Sequence, residues 1–93
     1  MIKTFKDKET QKVFDGQFSK KLPQAIQRKA RLKLRMLDAA MTIDDLLAPP
    51  ANRLEALTGN RAGQHSIRIN QQWRVCFEWH NAQVFNVEIV DYH

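Results

Sequence analysis

Residues 59–79 read GNRAGQHSIRINQQWRVCFEW, and the rest of the chain can be placed around them. The first half alternates: Ser66 and Arg68 face one way, Ile67 and Ile69 the other. The second half alternates again, with Trp73, Val75, Phe77 and Trp79 on one face and Arg74, Cys76 and Glu78 on the opposite one. Strict period two marks strands with one buried face. The polar break Asn70-Gln71-Gln72 suits a short hairpin turn, without the strong Asn-Gly signal. The expectation is a hairpin with its apolar face toward a core and its arginine face toward something anionic. The plainer alternative is that Arg68 and Arg74 only keep that face hydrated.

Working outward, Leu54 and Leu57 flank Glu55 in a short segment that suits a strand, and Gly59 and Gly63 bracket the loop Asn60-Arg61-Ala62. After a turn at His80-Asn81-Ala82, Phe85, Val87 and Ile89 alternate with Asn86 and Glu88 as a last strand. Upstream, Ile26, Ala30, Leu34, Leu37 and Met41 recur at the three- and four-residue spacing of a buried helical stripe, opened near Pro23. Arg28, Arg31 and Arg35 lie together on another side of that helix, with Lys29 and Lys33 nearby. Asp7 suits the N-cap of an earlier helix over about 8–15 and Gly16 its C-terminal stop. Val13 and Phe14 are expected to face inward. Thr42 caps a short helical turn, Pro49-Pro50 set an extended linker, and the opening MIKTF suits an edge strand. Helices early and antiparallel strands late argue for an α+β fold, one domain over 1–93, with two N-terminal helices on one face of a small, mostly antiparallel sheet.

At 93 residues the chain holds one small core. Its single cysteine, Cys76, excludes an internal disulfide and fits a reducing compartment. No apolar run is long enough for a membrane span, and the start lacks a signal-peptide core, so a cytoplasmic protein with no membrane partner is expected. The net charge of +5 is uneven. Residues 1–37 carry 11 Lys/Arg against 3 Asp/Glu, a net +8, and residues 38–93 carry 4 against 7, a net −3. A basic half suggests a polyanionic partner, most often nucleic acid; solvated helix faces are the alternative.

No metal-ligand spacing, nucleotide loop or Ser-His-Asp order appears, so no metal and no cofactor is expected. What remains is Asp91-Tyr92-His93 at the end of a strand, with Arg68 and Arg74 on neighbouring strands. Tyr92 shares parity with Asn86 and Glu88, which places it on the arginine face. Cleavage of a phosphodiester by the substrate's own 2′-hydroxyl needs a base for that hydroxyl, an acid for the leaving oxygen and cations for the phosphorane charge. Imidazole, phenol and guanidinium supply all three, and Tyr92 can stack on a splayed base. A frayed tail is the alternative.

The run LxxLxGxRxGxxSIRIxxxWRxxF from Leu54 to Phe77, with the terminal EIVDYH, resembles the HigB toxins of the RelE-like superfamily in bacterial type II toxin–antitoxin systems. The likeness extends over essentially the whole chain. It implies a RelE-like fold and an mRNA interferase that enters the ribosomal A site, cuts the message and stops translation. It also implies a HigA-like helix-turn-helix antitoxin, through which alone operator DNA is contacted. By position, Arg68 and Arg74 would clamp the scissile phosphate, and Asp91, Tyr92 and His93 would form the acid–base and positioning cluster, His93 being the leading base. Arg61 would fix the glycine loop or touch RNA, and the basic helices, through Arg28, Lys29, Arg31 and Arg35, would bind ribosomal RNA. Relatives can carry a histidine where Glu55 stands and a lysine where Thr58 stands, so Glu55 is either a proton acceptor or a structural residue. A shared superfold also admits a non-nucleolytic toxin, such as a ParE-like gyrase inhibitor, or a catalytically decayed RNA-binding regulator.

Overall fold

The computed structural model describes residues 1–92. Two helices, α1 (Lys8–Phe14) and α2 (Gln24–Ala39), precede four strands: β1 (Glu55–Ala56), β2 (His65–Arg68), β3 (Trp73–His80) and β4 (Gln83–Asp91). The strands form one antiparallel sheet in the order β1-β2-β3-β4. The α+β expectation, two helices on one face of a small antiparallel sheet, is what the chain adopts.

The hairpin follows its alternation. Ile67, Ile69, Val75 and Phe77 are buried in the core with Ile26, Ala30, Leu34 and Leu37 of α2. Phe77 is fully enclosed, so truncation to alanine would cost about 3–5 kcal/mol. The turn is held by Asn70, whose Oδ1 accepts from the backbone N–H of Gln72 and of Trp73, both at 2.8 Å. An asparagine side chain standing in for a backbone acceptor explains a tight reversal without Asn-Gly. The next reversal, Asn81-Ala82, has φ values of 52° and 63°, the left-handed pair of a two-residue hairpin loop.

Capping at α1 is as expected: Asp7 accepts from the Thr10 N–H at 2.7 Å. Thr10 is itself buried, and its Oγ1 accepts from the Ile89 N–H at 3.0 Å, which ties α1 to the outer edge of β4. The opening MIKTF lies along that same edge as two isolated parallel bridges, Ile2 to Val84 and Phe5 to Val87, rather than as a continuous strand. The break coincides with a bulge in β4, where two residues, Asn86 and Val87, lie opposite the single residue Phe77 and Asn86 takes φ 54°. The extra residue shifts the phase of β4. Val84, Val87 and Ile89 are buried, and Phe85, expected inside, is half-buried beside His80 at 5.7 Å between ring centroids.

Three further expectations change. Met41 lies beyond the end of α2 and is 75% exposed, because the helix stops at Ala39 and the stripe stops with it. Lys33 instead occupies the buried stripe. Pro49-Pro50 do not extend a linker: Pro50 opens a 3-10 turn over Pro50–Asn52, where its missing N–H and fixed φ fit the first position. Thr42 does form the capping box with Asp45.

Candidate functional site

The sheet face away from the helices is less open than its polar parity suggests. Ser66, Arg74 and Cys76 are all buried on it. The glycine-flanked loop is pinned across this face by Arg61, whose Nη1 donates to Gln64 Oε1 and to Glu88 Oε1, each at 3.1 Å. Arg61 therefore holds its loop to β4. Burial raises the Cys76 thiol above its ordinary value, the larger influence there, so the thiolate needed for reactivity is disfavoured.

Arg74 is the best anchored cation in this region. Its Nε donates to Ser66 Oγ at 2.7 Å and its Nη2 to the Arg53 carbonyl at 2.6 Å. Arg53 sits in the left-handed region after the 50–52 turn, φ 45° and ψ 54°, and that conformation turns the chain back toward β2. Glu55 Oε1 lies 3.5 Å from the same Nη2. Above it, the Arg74 guanidinium carbon is 5.7 Å from the centroid of the Tyr92 ring, within cation–π range. Tyr92 is set there by its N–H, which donates to the Gln72 carbonyl at 2.7 Å, and Gln72 Nε2 donates to Asp91 Oδ2 at 3.1 Å. Arg74, Tyr92 and Glu55 are thus brought together, with Asp91 one residue away along β4. His93 lies outside the described residues.

Arg68 stands directly across the β2–β3 ladder from Arg74, yet its surroundings differ. Its Nε donates to the Asn70 carbonyl at 3.0 Å. It lines a cavity of about 380 Å³ with Lys29 and Lys33 of α2, Ala51 and residues 69–71 of the turn. The surface cations of α2 are not equivalent either. Arg35 places its guanidinium 4.2 Å from the Phe14 ring centroid, and Arg31 packs against Gly16, where an added Cβ would meet its guanidinium at 3.2 Å. Arg28 and Lys29 are exposed.

Sequence reasoning passed over Ser66 and Arg53 as the anchors of Arg74. Ser66 had a signal, its shared parity with Arg68; the Arg53 carbonyl had none, since any residue type presents one. Lys33 also had a signal, since it falls three residues after Ala30 and four before Leu37. Among the described residues no group of three or more His, Cys, Asp or Glu could hold a metal ion, and no helix is long and apolar enough to cross a membrane.

The chain is a short helical layer on an antiparallel sheet, with a cation under an aromatic ring at the end of the last strand. The same architecture occurs in the YoeB–YefM complex from Staphylococcus aureus, with TM-score 0.57 over 100% of this chain and 98% of that one at 16% identity. Residues 3–93 match the model of the HigB-like toxins, described as RelE-like toxin of type II toxin–antitoxin system HigB, and the chain belongs to that family. It is 39% identical over 87 residues to Toxin HigB-1 of Vibrio cholerae, covering 92% of each chain. It is 29% identical over 93 residues to Endoribonuclease HigB of Proteus vulgaris, covering 100% of both. The type II toxin–antitoxin family gives it an antitoxin as partner.

Proposed function

We propose that this toxin is a cytoplasmic, ribosome-dependent endoribonuclease that cuts messenger RNA in the A site and so inhibits translation. The observation that carries the reading is Arg74, a guanidinium immobilised by Ser66 and the Arg53 carbonyl beneath Tyr92. A cation fixed before substrate arrives needs no reorganisation when charge develops on the phosphorane, which is how preorganised donors lower a barrier. The relative named an endoribonuclease supports the same chemistry.

In this scheme a base removes the proton of the 2′-hydroxyl, whose oxygen attacks the adjacent phosphorus. The phosphorus–5′-oxygen bond breaks as an acid protonates the leaving oxygen, giving a cyclic phosphate end. No metal takes part. His93 is assigned as the base, and Glu55 is the alternative acceptor because its carboxylate lies 3.5 Å from Arg74 Nη2. Tyr92 stacks on a base of the message and Asp91 positions the end of β4. Arg68 neutralises phosphate charge beside Arg74. Arg28, Arg31 and Arg35 meet ribosomal RNA, Lys29 beside them is a further RNA contact, and Arg61 holds the loop that frames the site. The antitoxin is of the HigA type, with a helix-turn-helix through which operator DNA is contacted.

Primer extension on one message with and without ribosomes tests this. New 5′ ends within the A-site codon, only with ribosomes, are expected. Equal cutting of naked message, or ends unrelated to codon position, would overturn it.

A further inference from the structure

Among the described residues, the cavity beside Arg68 is lined by three cations and no carboxylate. Lys33 is the informative one. It is only 7% exposed, and its Nζ donates to Asn52 Oδ1 at 2.6 Å, its one hydrogen bond among the described residues. An ammonium carries three donors, so two are left for something else. Asn52 is not an adjustable partner. It is fully buried, and its Nδ2 donates to the carbonyls of Leu46 at 3.1 Å and Ala48 at 3.2 Å, which fixes Oδ1 toward the lysine. The chain thus builds a bracket that holds a buried ammonium at a cavity wall. Arg68 brings a second cation whose terminal nitrogens have no hydrogen-bond partner among the described residues, its Nε alone being engaged. Lys29 brings a third. Burial first, and then the Lys29 charge, push the Lys33 pKa below its ordinary value.

We propose that this groove binds a backbone phosphate of the RNA strand, the neighbour of the phosphate held at Arg74. This deepens the proposed function and rests on it for the identity of the strand. The register supports the pairing: Arg68 and Arg74 are opposite each other on adjacent strands, so their Cα atoms are about 5 Å apart, and one extended strand can meet both. Asn70 and Gln71, which complete the wall, are uncharged and do not compete for the cations. Lys33 and Lys29 are then phosphate-positioning residues, distinct from the group that stabilises the transition state.

The test is binding, without cleavage, of a fluorescent 2′-O-methyl hexanucleotide to the purified full chain, followed by anisotropy over a series of salt concentrations. Lys29→Ala, Lys33→Met and the double variant are compared with Lys20→Ala, an exposed lysine that does not line the groove. Each single groove variant is expected to bind about tenfold more weakly, and to flatten the slope of log affinity against log salt by about 0.7, and the double variant to do more of both. Lys20→Ala should do neither. Lys29→Ala removes an exposed side chain, so it reports even if loss of the Asn52 partner unfolds Lys33→Met. Unchanged affinity and slope in folded Lys29→Ala overturns the proposal. So does binding of inorganic phosphate that Lys29→Ala weakens while oligonucleotide affinity stays that of wild type, an outcome that would assign the groove to an anion from another source, such as an acidic peptide. Because the oligonucleotide cannot be cut, failure of the nuclease reading leaves this result standing, and failure here leaves the nuclease reading to its own assay.

Discussion

Arg68 and Arg74 are the same residue type, on the same face of the same hairpin, directly opposite each other, and the fold uses them differently. Arg74 is buried and tied to a serine hydroxyl, a carbonyl and a carboxylate. Arg68 is half-buried, tied by Nε alone, and faces two lysines of α2. The cause is the length of β1. It pairs only with His65 and Ser66, so the chain before it supplies a carbonyl over Arg74 and leaves the β2 edge open at Arg68. Period-two alternation assigns a face; the neighbouring element decides how many of a cation's donors are engaged there.

The comparison breaks most sharply at Arg74. Arg74→Ala is expected to lower the cleavage rate by about 10²–10³ at saturating ribosomes, the loss seen when one preorganised donor is removed. Arg74→Lys should restore little, since an ammonium cannot bridge Ser66 and Arg53 with the planar fork. Ser66 and the Arg53 carbonyl would be left without their donor in Arg74→Ala, a stability cost of about 1–3 kcal/mol that circular dichroism and a denaturant midpoint will register. A folded variant that still arrests growth would remove Arg74 from the chemistry.

Cations outside the hairpin should matter next, and in a different observable. Reversing Arg28, Arg31 and Arg35 to glutamate is expected to weaken ribosome cosedimentation by roughly tenfold or more at low salt and to reduce its salt dependence. The three should not share the loss equally: Arg35 is stacked on Phe14 and Arg31 packed on Gly16, whereas among the described residues no such contact engages Arg28, so Arg28→Glu alone should account for more than Arg35→Glu alone. Cosedimentation identical to wild type at every salt concentration would separate this helix from ribosome binding.

Arg68→Ala sharpens the contrast within the sheet. Its loss should appear mainly as about a tenfold higher KM for ribosome-bound message, with kcat changed less, because phosphate held away from the reacting bond contributes equally to ground and transition states. A fall in kcat as large as that of Arg74→Ala would put both arginines on one phosphate.

Much of this was legible in the sequence wherever a period ran uninterrupted. Ile67 to Phe77 and Ile26 to Leu37 fell inside as their spacing required. The period failed where the backbone left its regular geometry. Asn86 at positive φ inserts one residue and exchanges Phe85 for Val84 in the core, and no residue type near it announced the bulge. Helix length is invisible for the same reason: the spacing carries the stripe on to Met41, which lies past the end of α2 at Ala39. The polar face was legible as polar, but not as covered, because the Arg61–Glu88 pair that closes it joins residues 27 apart in the chain.

The smallest expected effect concerns Lys33, and its sign follows from burial. In the native state its pKa lies below the ordinary lysine value, chiefly by desolvation and further by Lys29. Between that lowered value and about 10.5, the unfolded chain binds more protons at this lysine than the native one does, so stability rises with pH across the window. Below it both states are protonated and the burial penalty is present in full; above it both are neutral and the penalty is gone. Lys33→Met lacks this contribution. It also leaves Asn52 Oδ1 without its donor, a loss that does not vary with pH. Wild type should therefore gain on Lys33→Met as pH is raised from 7 toward 10.5, whatever their difference at neutral pH, and other groups that titrate in both chains cancel in the comparison. The measurement is the difference in urea unfolding free energy between the two chains at several pH values. Parallel curves would mean that Lys33 is hydrated in the native state, and the wall of the groove would then be wetter than its burial implies. A rising difference that phosphate flattens by stabilising the native state with its lysine charged would show that an anion can bind beside Arg68 as the Glu55 carboxylate stands beside Arg74.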